Sequence, residues 1–177
     1  MVLGLIVDII TFPGVVAHEY AHALACKAVG IQVHKIEYFN IDPTGPRGYV
    51  IHAEPTKLLQ GFVISFFPLI FSLGVCFGLG VALGFALHGG WGKPFSNLVA
   101  WLGISTGMHS APSQKDAENF AELANKLNSN ILVKAVAYPL ITICGIWEIL
   151  SAFWLDYFLG ILVFYLAVNL MGAQLTF

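Results

Sequence analysis

Long apolar blocks separated by two polar stretches set the pattern of this chain. The first apolar block runs from about Val2 to Val29 and stops at Gly30, a residue suited to ending a helix. Pro13 lies inside it and marks either a kink or a second helix start. The second block, Leu58 to about Leu87, carries no charge and is longer than a bilayer core of about 30 Å requires, so tilt or overhang is expected. Turn residues from His88 to Pro94 follow, then a short third block, Phe95 to about Met108. The fourth and fifth, Ile131–Leu150 and about Phe153–Met171, are separated only around Asp156, which predicts a tight helical hairpin or one broken helix.

The two polar stretches read differently. Residues 31–53 alternate apolar and polar positions on either side of Asp42-Pro43-Thr44-Gly45-Pro46-Arg47-Gly48, a β-hairpin pattern with a long loop. Residues 109–130 begin irregularly and continue as an amphipathic helix, Lys115 to Leu127. The expected architecture is therefore an all-α polytopic membrane domain covering 1–177, with about five transmembrane helices and a short β-hairpin after the first.

Composition sharpens this picture. Hydrophobic residues make up 58% of the chain and charged ones 10%, whereas soluble domains carry about 25% charge. The expected setting is a lipid bilayer in the cell membrane, with the first block a retained helix, because it lacks a basic leader and contains Asp8. With the N-terminus outside and the C-terminus inside, Lys27, Lys35, Arg47, Lys57, Lys115, Lys126 and Lys134 fall on the inner side and only Lys93 outside, as the positive-inside rule prefers. A net charge of −2 without a basic run gives no footprint for nucleic acid. Cys26, Cys76 and Cys144 lie in apolar helices without a CxxC, so they read as buried hydrophobes.

The chemistry concentrates in His18-Glu19-Tyr20-Ala21-His22. Histidines at i and i+4 share a helix face, so both imidazoles reach one tetrahedral zinc, with Glu19 beside them as the base for a water. Six histidines and six glutamates in a chain of this length produce such a match by chance with a frequency of roughly 0.7%. Three ionisable groups inside an apolar span are also costly to bury without a function. His18 lies about 16 Å from the inner end of its span, which puts the motif within the bilayer.

Two histidines leave a catalytic zinc one protein ligand short. Asp116 is the first candidate: the short third block reaches only about 21 Å, so the chain after Met108 is still at membrane depth, where irregular backbone must line a wet cavity or be buried. Asp116 can equally be a first-turn acid that caps the following helix. His109 in the same segment and Glu148 in the fourth block are the other candidates.

Other polar residues take structural readings. On a continuous helix Asp8 would share the face of the motif but lie about 15 Å away, which suits interior packing or cavity lining and not ligation. His34 and His52 read as surface positions on the hairpin, and His88 as interfacial. Asn97 and Asn169 read as interhelical hydrogen-bonders, and Gly103 to Gly107 as a close helix contact. Trp91, Trp147, Trp154 and Tyr157 fit interfacial belts.

The motif in the first span, the β element directly after it and the Pro112-to-Asp116 element after the third span together resemble the site-2 protease family of intramembrane zinc metalloproteases, in a compact HExxH-containing form. The resemblance covers roughly residues 10–120. It implies one zinc per chain held by His18, His22 and Asp116, with Glu19 activating water, and hydrolysis of peptide bonds in a membrane-embedded or membrane-proximal protein or peptide. The family's ligand Asp precedes a Gly, whereas Asp116 precedes Ala117. Scission in lipid needs an unwound substrate, and the 31–53 hairpin can offer an edge strand to hold one. Two rival readings are a non-proteolytic zinc-binding membrane protein, such as a sensor or transporter-like subunit, and a processing protease with a soluble-facing site. Clustering of the polar residues around one motif argues against a transport path.

Overall fold

The computed structural model describes residues 2–90, 92–127, 131–151 and 154–170. Among the described residues, seven helices and two strands follow one another as α1 (Val2–Ile10), α2 (Phe12–Ala28), β1 (Val33–Glu37), β2 (Tyr49–His52), α3 (Leu58–His88), α4 (Lys93–Met108), α5 (Gln114–Lys126), α6 (Ile131–Ser151) and α7 (Leu155–Leu170). The protein is mostly helical, with one two-stranded antiparallel sheet in which Ile36 faces Val50 and Glu37 faces Tyr49.

The first apolar block is two helices, not one. They meet at Thr11 with a bend of 79°, and Pro13 takes the start of the second, where its missing N–H costs nothing. The break is held from a distance. Trp101 Nε1 donates to the Ile10 carbonyl at 2.9 Å, Thr11 Oγ1 donates to the Val7 carbonyl at 2.7 Å, and His109 Nε2 lies 2.8 Å from Thr11 Oγ1. At its other end α2 stops at Gly30, whose φ of +72° lets Ile31 N turn back onto the Cys26 carbonyl at 2.8 Å. Gln60 then ties the start of α3 to this terminus through the Val29 carbonyl at 3.1 Å.

Three apolar clusters hold the helices together. Cys76, Leu83, Val99, Phe164 and Val168 join α3, α4 and α7. Ala25, Cys26 and Ile64 join α2 to α3. Phe120, Ala124 and Ala137, flanked by Phe62 and Phe66, seat α5 between α3 and α6. Small residues let backbones approach: Gly14 abuts the Ser105 backbone where α2 crosses α4, and Gly107 faces Gly160 and Cys76, as expected for the Gly103–Gly107 stretch. Cys26 and Cys76 are buried and unpaired, and the side chain of Cys144 lies outside the described residues.

Of the five spans expected, α3 alone among the described residues is both long and apolar enough to cross a bilayer. The bent α1–α2 pair makes a second if taken as one span. The apolar part of α6, Ala137–Trp147, and α7 are shorter than a full crossing, and α4 with 16 residues reaches about 24 Å. Large apolar side chains nonetheless face outward on α3 and α7, among them Ile70, Phe85, Phe158 and Leu170.

Candidate metal centre

The centre is assembled by α2, the end of α4 and the start of α5. On α2, one face presents His18, Glu19 and His22, each no more than 9% exposed. The Nε2 atoms of the two histidines lie 3.1 Å apart, with the rings at 73°. Asp116 approaches from the first turn of α5, with Oδ1 3.3 Å from His22 Nε2 and Oδ2 3.8 Å from His18 Nε2. His18, His22 and Asp116 thus form a buried group that can hold a metal ion.

Hydrogen bonding shows why these atoms demand a positive charge between them. His18 Nδ1 lies 2.8 Å from the His109 carbonyl, and His22 Nδ1 lies 2.9 Å from the Ile64 carbonyl. A carbonyl only accepts, so each Nδ1 carries the proton, and in a neutral imidazole the Nε2 atom is then a bare lone pair. Two bare nitrogens at 3.1 Å beside a carboxylate require either a shared proton or a metal cation. Two nitrogens bound to one tetrahedral zinc at 2.0–2.1 Å would be about 3.3 Å apart, close to what is seen. The donor set therefore fits zinc, and the two carbonyls are the outer partners that fix tautomer and ring orientation at such sites.

Asp116 is placed for both roles that the sequence offered as alternatives. Its Oδ2 accepts from Ser113 N at 2.8 Å and Ser113 Oγ at 2.7 Å, closing a capping box at the start of α5, while Oδ1 points at His22. Ser65 Oγ on α3 donates to the Asp116 carbonyl at 3.1 Å, and Phe120 packs its ring on Phe62 and Phe66 of α3, so the carboxylate is delivered by a well-anchored helix.

The structure corrects the reading of His109 as a possible ligand. Its ring turns away to Thr11 and Tyr157, and it serves the site through its backbone carbonyl at the C-terminal end of α4, where helical carbonyls lack partners. The side chain of Glu148 lies outside the described residues.

A cavity of about 670 Å³ opens beside the cluster. Glu19 borders it and has no hydrogen bond or ion pair among the described residues. Gly48, at the start of β2, sits directly over Glu19: a Cβ there would come 2.5 Å from Glu19 Cγ and 3.0 Å from Oε1. The hairpin is more than a connecting loop. It runs back along α2, with Val33 near Ala25 and Cys26, Phe39 against Phe12, and Arg47 Nε 3.8 Å from Asp8 Oδ2 at the α1–α2 break. Arg47 also holds its own loop through the Asn40 and Gly45 carbonyls. Tyr49, Val50 and His52 of β2 border the cavity and no β1 residue does. Among the described residues, the second edge of β2 has no strand neighbour.

Several smaller expectations meet the same test. Asp8 lines the cavity as expected, but around a bend and not along a straight helix. His34 is exposed, whereas His52, expected at the surface, is half-buried on the cavity wall. Asn169 bonds the Tyr165 carbonyl of its own helix and not a neighbouring one, and Asn97 is exposed. Tyr157 lines the cavity and stacks on Trp154; Trp147 is half-buried and Trp91 lies outside the described residues. Gly48, Arg47 and the Ile64 carbonyl escaped sequence reasoning, because only the folded hairpin and the α2–α3 contact bring them to the motif.

Comparison with family models, curated proteins and solved structures finds no match to this chain.

Proposed function

We propose that this protein is an intramembrane zinc metalloprotease, one zinc per chain, that hydrolyses peptide bonds of membrane-embedded or membrane-proximal protein substrates. The observation that carries the reading is the convergence of two oriented imidazoles and one carboxylate beside an unpartnered glutamate on the wall of a cavity. His18, His22 and Asp116 would hold the ion, the three protein ligands that a catalytic zinc takes. When bound, zinc supplies a Lewis acid that polarises the scissile carbonyl and acidifies the attacking water. Glu19 takes the proton of that water on its carboxylate and returns it to the leaving nitrogen. The free edge of β2 offers main-chain hydrogen bonds to an unwound substrate strand and keeps its carbonyls accessible.

The membrane setting is part of the same proposal, with five hydrophobic segments, the N-terminus outside and the C-terminus inside. Its support is the uncharged 31-residue α3, the outward apolar side chains of α3 and α7, and the lysine distribution. Arg47 leaves that tally, since it lies beside Asp8 and not at the inner end of α2. Six lysines against Lys93 keep the same sign. The test is Glu19→Gln in protein reconstituted with a single-span substrate that contains Gly, Pro or Asn. Gln cannot accept the water's proton, so zinc should stay and cleavage should stop. Equal cleavage by wild type and variant would overturn the assignment of Glu19. Zinc without cleavage of any membrane substrate in the wild type would favour the non-proteolytic rival.

A further inference from the structure

We infer that Pro68, in the middle of α3, is a positioning residue of the metal centre. In an α-helix the N–H of residue i bonds the carbonyl of residue i−4. The donor for the Ile64 carbonyl would be the N–H of residue 68, and proline has none. The carbonyl left without its helical partner is the one that holds His22 Nδ1, at 2.9 Å. Ile64 and Pro68 are both buried, so no water competes for that oxygen. A proline, unfavourable in a helix interior, therefore exposes one backbone acceptor at the level of the motif. His18 uses the same device differently, since its partner carbonyl belongs to His109 at the C-terminal end of α4. Both ligands are thus oriented by carbonyls that their own helices leave unused. The second mid-helix proline, Pro139 in α6, frees the carbonyl of residue 135, which is outside the cluster. This assignment rests on the metal reading.

Pro68→Ala restores an N–H aimed at the Ile64 carbonyl, and so makes the backbone compete with His22 for it. Helix stability and metal affinity should then move in opposite directions. The metal-free variant, unfolded by denaturant as full-length protein in detergent, should be at least as stable as wild type. Its zinc dissociation constant by chelator competition should rise at least tenfold, within the 10–100-fold range of outer-partner losses. The visible spectrum of the cobalt-loaded form should shift as His22 reorients. Pro139→Ala should leave affinity and spectrum unchanged. Pro68→Val, which also restores the N–H but fills more of the space, covers the case in which alanine leaves a damaging void. Unchanged affinity and cobalt spectrum in either folded Pro68 variant would overturn the inference. So would affinity lost only in step with stability, which marks a packing role alone. A wild type that binds no metal removes the metal reading and this inference with it, so the two failures are told apart.

Discussion

Replacing Gly48 by alanine tests whether the hairpin fixes the carboxylate proposed as the base. The new Cβ would stand 2.5 Å from Glu19 Cγ and 3.0 Å from its Cδ and Oε1. Carbon atoms rest at about 3.5–4.0 Å, so Glu19 or the strand must yield by about 1 Å. Cγ lies mid-chain, and its displacement carries the carboxylate with it. A misplacement of that size at a reacting group costs about 100-fold in rate, or about 2.7 kcal/mol in the barrier. The metal should stay, because Gly48 approaches Glu19 and is not one of the three grouped ligands. The assay is single-turnover cleavage of a reconstituted substrate, alongside zinc content by mass spectrometry. Gly45→Ala is the control, since its Cβ would meet only Asn40 Nδ2, at 3.2 Å. A Gly48→Ala variant that cleaves within threefold of wild type would refute the placement of the hairpin over Glu19. Loss of zinc in the same variant would show that the hairpin supports the ligands instead.

Two more perturbations separate roles that the structure merges. Asp116→Asn should weaken zinc binding by far more than Ser113→Ala, which removes the capping partner of α5 at about 1 kcal/mol but leaves the carboxylate; comparable zinc affinities in the two variants would exclude Asp116 as a ligand. Arg47→Ala removes the ties to Asn40, Gly45 and Asp8, so limited proteolysis within residues 40–48 should accelerate at least tenfold with zinc retained; an unchanged cleavage pattern would show that the loop is held by other contacts.

The parts of this molecule that were legible in its sequence are those governed by local periodicity. Alternation around the turn-rich Asp42–Gly48 loop located both strands, and the charge-free run after Lys57 located α3. The His18–His22 spacing named two members of the cluster, and the shortness of the third apolar block pointed to Asp116. What stayed hidden depends on contacts between distant residues. Val2 to Val29 reads as one largely apolar block, and Pro13 alone cannot distinguish a kink from a second start. The side chains that hold the break, Trp101 and His109, come from α4 and its end. The question of whether Asp116 caps or binds had no sequence answer, because a carboxylate with two oxygens can do both. Pro68 did carry a signal, since a proline inside a charge-free helix frees the carbonyl four residues earlier. Nothing in the sequence said that His22 would face it.

The central claim is a zinc ion bound by two imidazoles and a carboxylate, and X-ray absorption at the zinc edge of protein purified without added metal tests it most directly. The account predicts close to one zinc per chain, a first shell of nitrogen and oxygen at about 2.0–2.2 Å, the scattering signature of two imidazoles, and no sulfur at about 2.3 Å. It also predicts that this signal disappears in the His18→Ala, His22→Ala double variant. A metal-free wild type, a sulfur-containing shell, or full occupancy in the double variant would contradict it.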